Sequence, residues 1–119
     1  MRILAIGCHP DDLEIACYGT LAKYIKQGHE VSVCHVASGN MGHVEIMPDE
    51  LAVIRFNEAA AAAKVIGAQH FSIGIPDIHV KADNDALIYD LGRVIRKTQP
   101  ELIITHFEQD YMNDHIQTY

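Results

Sequence analysis

Short apolar runs alternate with longer segments of helical character along almost the whole chain. The four apolar runs span residues 2–7, 31–36, 69–73 and 101–106. The three segments between them repeat apolar residues at helical spacing or are rich in helix formers, over residues 12–27, 49–66 and 84–98. This βαβαβαβ order predicts an α/β fold with a doubly wound, mainly parallel sheet of the Rossmann-like type, in three αβα layers.

The length indicates one domain. The chain has 119 residues, 49% of them apolar, and neither a repeat nor a linker interrupts it. Its last residues, 113–119, have the composition of a helix start, and a four-stranded sheet would end on an open element. We therefore expect residues 1–119 to form a single domain that is the N-terminal portion of a longer chain. The sequence leaves homo-oligomerisation open.

Charge and cysteine content restrict the partners and the compartment. The net charge is −7 and no basic run is present, which disfavours a nucleic-acid partner. The apolar run over residues 3–8 is too short for a secretory signal or a membrane span. Three separated cysteines without a signal favour a reducing compartment, so we expect a cytoplasmic protein with buried thiols.

Polar residues gather in the loops that follow the four predicted strands. These loops cover residues 9–14, 37–43, 74–80 and 106–115, and they hold five of the eight histidines. The carboxyl ends of parallel strands meet at one edge of the sheet, and ligands bind there at the switch point. The sequence therefore predicts a binding site at this edge. We expect His35 and His70, which lie in or near strands, to be structural.

The first of these loops reads HPDDLE, residues 9–14. A nucleotide-binding module of this fold would carry a glycine-rich phosphate loop here. Only Gly7 is present, and the adjacent aspartates would repel a pyrophosphate. A nucleotide-binding function is therefore disfavoured.

The same loop has the residue types and spacing of a metal site. His9 and Asp12 lie three apart at a strand-to-helix bend, so both can face one zinc ion. Asp11 would point elsewhere, close enough to act on a metal-bound water. A third ligand must come from another loop, and residues 106–115 are the best source. Asp12 could also cap the helix, but capping explains neither His9 nor the second aspartate.

The motif HPDDLE, with ILAIG before it and NDH near the end of the chain, resembles the LmbE-like, or PIG-L, family of zinc-dependent de-N-acetylases. The stretch GTLAKYIKQGHEV, residues 19–31, is also similar to this family. A further similarity is the spacing of arginine, glutamate, alanine and glycine over residues 55–67. The resemblance covers nearly the whole chain, and it implies one divalent metal ion, Zn²⁺, per chain.

The resemblance assigns roles to single positions. It implies that His9, Asp12 and His115 bind zinc and that Asp11 is the general base that activates the water. The resemblance further implies a substrate contact for Arg55, an acidic loop residue after the third strand for Asp77, an orienting role for Asp114 and a structural role in the motif for Glu14.

The last motif departs from the family pattern at Met112. The family usually has His-Pro-Asp-His where this chain reads Met-Asn-Asp-His, residues 112–115. The first histidine is thought to stabilise the oxyanion, and methionine cannot donate a hydrogen bond. Losing one such donor commonly costs about 100-fold or more in rate. His43, His79 and His106 are candidates to replace it, and His106 could instead lie beside the metal ligands.

The resemblance implies a hydrolase that removes an N-acyl group, expected to be N-acetyl, from a small amino-sugar substrate. In this hypothesis Asp11 takes a proton from zinc-bound water as the water attacks the amide. One alternative is a metal-binding protein of the same fold with weak or no activity, which Met112 motivates. Another is a different carbon–nitrogen amide hydrolase.

Overall fold

The computed structural model describes all residues from Met1 to Tyr119, and strands and helices alternate along them. The elements are, in chain order, β1 (Arg2–Gly7), α1 (Asp12–Ala16), α2 (Tyr18–Lys26), β2 (Glu30–Ala37), α3 (Pro48–Ile66), β3 (Gln69–Ile75), α4 (Asp85–Thr98), β4 (Leu102–Ile104) and α5 (Asn113–Thr118). No helix combines the length and the apolar character that crossing a bilayer requires.

The four strands form one parallel sheet in the order β3-β2-β1-β4. From β1 the chain moves outward to β2 and β3, and it then returns to the other side of β1 as β4. This reversal makes β1 and β4 neighbours at the switch point of the sheet. The doubly wound parallel sheet predicted from the sequence is confirmed.

Alternate residues of the central strand face two separate cores. Ile3 and Ala5 belong to the core that also contains side chains of α1, α2 and α3. Leu4 and Ile6 point to the opposite face and pack with side chains of α4. All four are buried, as expected for a strand covered on both faces. The structure therefore has the predicted three layers, with the sheet between two layers of helices.

The single helix predicted over residues 12–27 is wrong. Cys17, with φ −143°, interrupts it and separates α1 from α2. Leu13 before the interruption and Leu21 after it both lie in the same core. A β-carbon on Gly7 would lie 2.6 Å from Leu13 Cγ, so α1 packs closely against β1.

The fourth strand is shorter than the predicted residues 101–106. Its ladder with β1 ends at the pair Ala5 and Ile104. Beyond it, the backbone N–H of Cys8 donates to Nε2 of His106 at 2.9 Å instead of to a backbone carbonyl of β4. At the edge where the candidate site lies, the side chain of His106 therefore replaces a backbone carbonyl as the hydrogen-bond acceptor.

Candidate metal centre

The adjacency of β1 and β4 brings the two ends of the chain together. The loop after β1 carries His9, Asp11 and Asp12, and the segment after β4 carries His115. All four line one cavity of about 700 Å³ at the carboxyl edge of the sheet. Arg55 of α3 also lines this cavity. The position agrees with the site expected for an open parallel sheet.

Three potential ligand atoms converge beside this cavity. Nδ1 of His9 lies 3.5 Å from Oδ2 of Asp12 and 3.3 Å from Nε2 of His115. Nε2 of His115 lies 3.3 Å from the same Asp12 oxygen. Nitrogen and oxygen ligands about 2.0–2.1 Å from a tetrahedral zinc ion are separated from one another by about 3.3–3.4 Å. The side chains present therefore fit a zinc ion in both chemistry and spacing.

In His9 and in His115, the ring nitrogen that points away from the other two ligand atoms contacts a carboxylate. Nε2 of His9 lies 3.1 Å from Oδ2 of Asp114, and Nδ1 of His115 lies 3.1 Å from Oδ1 of Asp110. When each carboxylate accepts an N–H, the opposite ring nitrogen presents a lone pair to the Asp12 oxygen. Three electron-rich atoms then face each other with no donor among them, an arrangement that a cation stabilises.

His106 lies beside these groups and offers a second set of potential ligands. One nitrogen each of His106 and His115 and one carboxylate oxygen of Asp12 lie within 4.8 Å of one another. Nε2 of His106 is 3.4 Å from Oδ2 of Asp12, and its ring stacks on His115 with centroids 4.2 Å apart. That nitrogen already accepts the N–H of Cys8. His106 is therefore better placed to pack against His115 than to bind a metal.

The pKa values of His9 and Asp12 reflect their proximity. Burial alone would lower the pKa of His9, but the adjacent Asp12 carboxylate and Cys8 sulfur raise it to about 11. Burial would raise the pKa of Asp12, but the neighbouring imidazoles of His106 and His9 and the backbone N–H of His9 outweigh it and hold the pKa well below its ordinary value. Without a metal ion, a proton on His9 balances the ionised carboxylate.

Asp11 occupies a backbone conformation that non-glycine residues rarely adopt, with φ at 139°. This turn separates its side chain from the direction that Asp12 takes. Oδ2 of Asp11 lies 3.0 Å from Nη2 of Arg55, and the same nitrogen also contacts the carbonyl of Pro10. Burial raises the pKa of the Asp11 carboxyl, although the Arg55 guanidinium opposes this. A carboxylate with a raised pKa is a stronger base than an ordinary surface aspartate.

Asp77 holds the loop after β2 in place. Its two carboxylate oxygens accept the backbone N–H groups of Gly39 at 2.8 Å and of Met41 at 2.9 Å. Gly39 has φ +74°, and a β-carbon there would lie 3.1 Å from Pro10, so the loop packs tightly on the HPDDLE turn. Asp77 also lies 4.0 Å from Nε2 of His9. Its contacts are those of a residue that shapes the cavity wall.

The remaining expected residues divide between the cavity and the core. Met112 and His43 line the cavity. His79 is held by the carbonyl of Asp77, 2.9 Å from its Nδ1. Glu14 is not part of the site, because its Oε2 lies 3.3 Å from Nε2 of the buried His35.

Asp110 is a site residue that the sequence did not single out. Its carboxylate contacts Nδ1 of His115 and also accepts the N–H of Met112 at 3.0 Å. These hydrogen bonds, chiefly the one from the Met112 N–H, lower its pKa and keep it ionised. The only available signal was an aspartate five residues before a predicted histidine ligand in the same loop.

Comparison with known proteins identifies the family. The PIG-L family, described as GlcNAc-PI de-N-acetylase, matches residues 4–119. The chain is 30% identical to 4-oxalmesaconate hydratase of Pseudomonas putida, covering 94% of this chain and 46% of that protein. It is 29% identical to 1D-myo-inositol 2-acetamido-2-deoxy-alpha-D-glucopyranoside deacetylase of Thermobispora bispora, covering 99% and 49%.

A solved structure of a relative has a similar fold. N,N'-diacetylchitobiose deacetylase from Pyrococcus horikoshii is similar with a TM-score of 0.87 and 28% identity, over 98% of this chain and 45% of that one. This chain spans about half the length of the curated relatives it matches. Since the family match extends over nearly all of its residues, the chain belongs to the PIG-L, or LmbE-like, family.

Proposed function

We propose that this protein is a zinc-dependent hydrolase that removes an N-acetyl group from a small amino-sugar substrate. Two relatives named as deacetylases of acetylated sugars support the reaction class. The observation that carries the proposal is the convergence of His9, Asp12 and His115, whose facing ligand atoms lie 3.3–3.5 Å apart beside an open cavity.

In this proposal His9, Asp12 and His115 hold one zinc ion, and Asp114 and Asp110 fix the two imidazoles in the orientation that binding requires. A bound zinc ion would polarise the amide carbonyl and make water a stronger nucleophile. Two neutral histidines and one carboxylate would leave a bound zinc ion with a net positive charge, which would favour an oxyanion.

Asp11 is the proposed general base. Its carboxylate lines the same cavity as the three ligands, and burial raises its pKa, which makes it a stronger base than an ordinary aspartate. The contact with Nη2 of Arg55 orients the carboxylate, and Arg55 lines the same cavity. Arg55 therefore has two proposed roles, since it positions Asp11 and contacts the substrate.

The test measures acetate release from N-acetylglucosamine derivatives by the zinc-loaded protein and its Asp11→Asn variant. We expect activity in the parent chain and a loss of about 10²- to 10⁴-fold in kcat in the variant, with zinc content unchanged. Asp49→Asn is the matched control, because it removes the charge of an exposed carboxylate on α3 that does not line the cavity. Equal activity of Asp11→Asn and the parent chain would rule out the proposed base.

A second candidate is the addition of water across a carbon–carbon double bond. The Pseudomonas relative is named as a hydratase of 4-oxalmesaconate, and Met112 cannot supply the hydrogen bond that an amide oxyanion would use. The Arg55 guanidinium beside the cavity would suit a carboxylate substrate. Loss of the ultraviolet absorbance of 4-oxalmesaconate, without acetate release from any N-acetyl sugar, would favour this reaction.

We also propose that the protein is cytoplasmic and that residues 1–119 form one domain. The separated cysteines, two of them buried and none paired, agree with a reducing compartment. Fractionation of cells that express the protein tests its location, and light scattering of the purified chain tests its oligomeric state.

A further inference from the structure

Part of the lining of the cavity at the metal centre is both apolar and exposed. Four large side chains have these two properties: Met41, Ile78, Tyr111 and Met112. We call these four residues the apolar rim. Exposed apolar groups surrounded by polar ones are typical of ligand-binding grooves, because burial against a ligand removes their surface from water.

Ile78 is held in the rim by an uncommon backbone conformation. Its φ is 63°, in the left-handed region, where a β-branched residue is rare. In this conformation its backbone N–H donates to Oδ2 of Asp114 at 2.6 Å. The same oxygen lies 3.1 Å from Nε2 of His9. One carboxylate therefore joins Ile78 to a proposed zinc ligand, while the Ile78 side chain is left 69% exposed in the cavity wall.

Tyr111 lies beside a second proposed zinc ligand. Its ring contacts His115 edge-on, with the centroids 5.9 Å apart, and the residue is 91% exposed. A tyrosine ring offers a large contact area with few rotatable bonds, so little conformational entropy is lost when a ligand covers it. Met41 is also held in place, since its backbone N–H donates to Asp77. The rim is thus positioned next to the groups that would hold the metal.

The charges of the exposed lining restrict what can bind there. It contains no lysine or arginine, and it includes the carboxylates of Asp11 and Glu58. Arg55, the one guanidinium that lines the cavity, already contacts both of these carboxylates. A phosphate or carboxylate placed on the rim would therefore meet no free cation, whereas an uncharged apolar group would meet apolar side chains.

We propose that the apolar rim is a substrate subsite that binds an uncharged alkyl or aryl group linked to the amino sugar. This inference rests on the proposed function, because it concerns the same cavity. With the acetyl group at the metal centre, the linked apolar group covers Ile78 and Tyr111. The preferred substrate class is thus an N-acetylated amino sugar with an apolar aglycone, ahead of the free sugar or its phosphate.

The experiment compares the methyl and hexyl glycosides of N-acetylglucosamine with the zinc-loaded chain. The parent chain is expected to prefer the hexyl glycoside by about tenfold or more in kcat/KM, since each buried methylene is favourable. Ile78→Gly should remove most of this preference. Glycine adopts a positive φ without strain and keeps the backbone N–H that Asp114 accepts. Because the readout is a ratio for one protein sample, a change in the folded fraction does not alter it.

Tyr111 provides a second pair of variants. Tyr111→Ser should also lower the hexyl preference, whereas Tyr111→Phe, which keeps the ring, should retain it. Ile88→Ala is the matched control, because Ile88 is an exposed isoleucine on α4 that does not line the cavity. Acetate release at equal kcat/KM from both glycosides, or a preference that Ile78→Gly leaves intact, would overturn the subsite and leave the proposed reaction standing.

Isothermal titration of both glycosides into the zinc-loaded chain gives a readout that needs no turnover. Tighter binding of the hexyl glycoside that Ile78→Gly abolishes, without acetate release from either glycoside, would support the subsite and contradict the proposed reaction. Light scattering tests whether a second copy of the chain covers the rim instead. A dimer of the parent chain that dissociates in Ile78→Gly would overturn the proposal.

Discussion

Nδ1 of His9 and Nε2 of His115 lie 3.3 Å apart although 106 positions separate the two residues in the chain. Each imidazole has a carboxylate on its other nitrogen, Asp114 for His9 and Asp110 for His115. Two lone pairs at this distance repel each other unless a cation lies between them. The relationship depends on the pairing of β1 with β4, which places both loops at the switch point.

Replacement of Asp12 by alanine is expected to weaken zinc binding at the site formed with His9 and His115 by on the order of 100-fold or more. The variant removes the anionic ligand and leaves two imidazoles that carry no charge to attract the ion. Chelator competition measures the affinity. Asp83→Ala, which removes an exposed carboxylate far from the ligands in sequence, should leave the affinity unchanged. Equal affinities of the Asp12 and Asp83 variants would contradict the proposed ligand set.

Asp110→Asn should weaken zinc binding by about 10- to 100-fold, because the amide is a poorer acceptor for the Nδ1–H of His115 and no longer fixes its orientation. Glu108→Gln is the control, since it neutralises an exposed acid in the same loop. An NMR measurement of the His115 tautomer in the metal-free variant separates orientation from a loss of net charge. If the tautomer and the affinity both stay as in the parent chain, Asp110 does not position His115.

Zinc affinity is expected to rise with pH. The Asp12 carboxylate and the Cys8 sulfur, acting against burial, raise the pKa of His9 to about 11, so the metal-free site holds a proton at neutral pH. Zinc must displace that proton, and the affinity should therefore increase about tenfold per unit between about pH 6 and 8. Titrations in buffers of different ionisation enthalpy count the released protons. Binding that is independent of pH would show that His9 is neutral in the metal-free protein.

The sequence predicts the parts of this structure that local patterns determine. The alternation of apolar runs and helical segments specifies the parallel sheet, and the HPDDLE turn identifies His9 and Asp12 as neighbours. The break at Cys17 was not predictable, because Leu13 and Leu21 on its two sides keep the spacing of one continuous helix and lie in the same core.

The contacts that the sequence missed depend on the tertiary structure. Asp110 acts on His115 within a loop whose folding depends on Met112 and the edge of β4. His35 and His70 each look like ordinary strand residues, and only the register of β2 with β3 brings their nitrogens to 3.4 Å. Side-chain direction across a sheet is a tertiary property, which a single sequence specifies weakly.

Met112→His is the substitution that best separates the two candidate reactions. Met112 precedes α5 and lines the cavity with His9, Asp11 and His115, so an imidazole at this position can donate a hydrogen bond into the cavity. If the protein is a deacetylase, the added donor should raise kcat for acetate release by up to about 100-fold with little change in zinc affinity.

The same variant should not help a hydratase that evolved without this donor. In that case acetate release stays absent, and the rate of water addition to 4-oxalmesaconate stays equal or falls. Met112→Gln is the matched control, because its amide donates a hydrogen bond but cannot carry a proton to a leaving amine. If acetate release rises in Met112→His and not in Met112→Gln, the group absent at position 112 would serve in proton transfer. Equal rises in both variants would indicate that it stabilises the oxyanion.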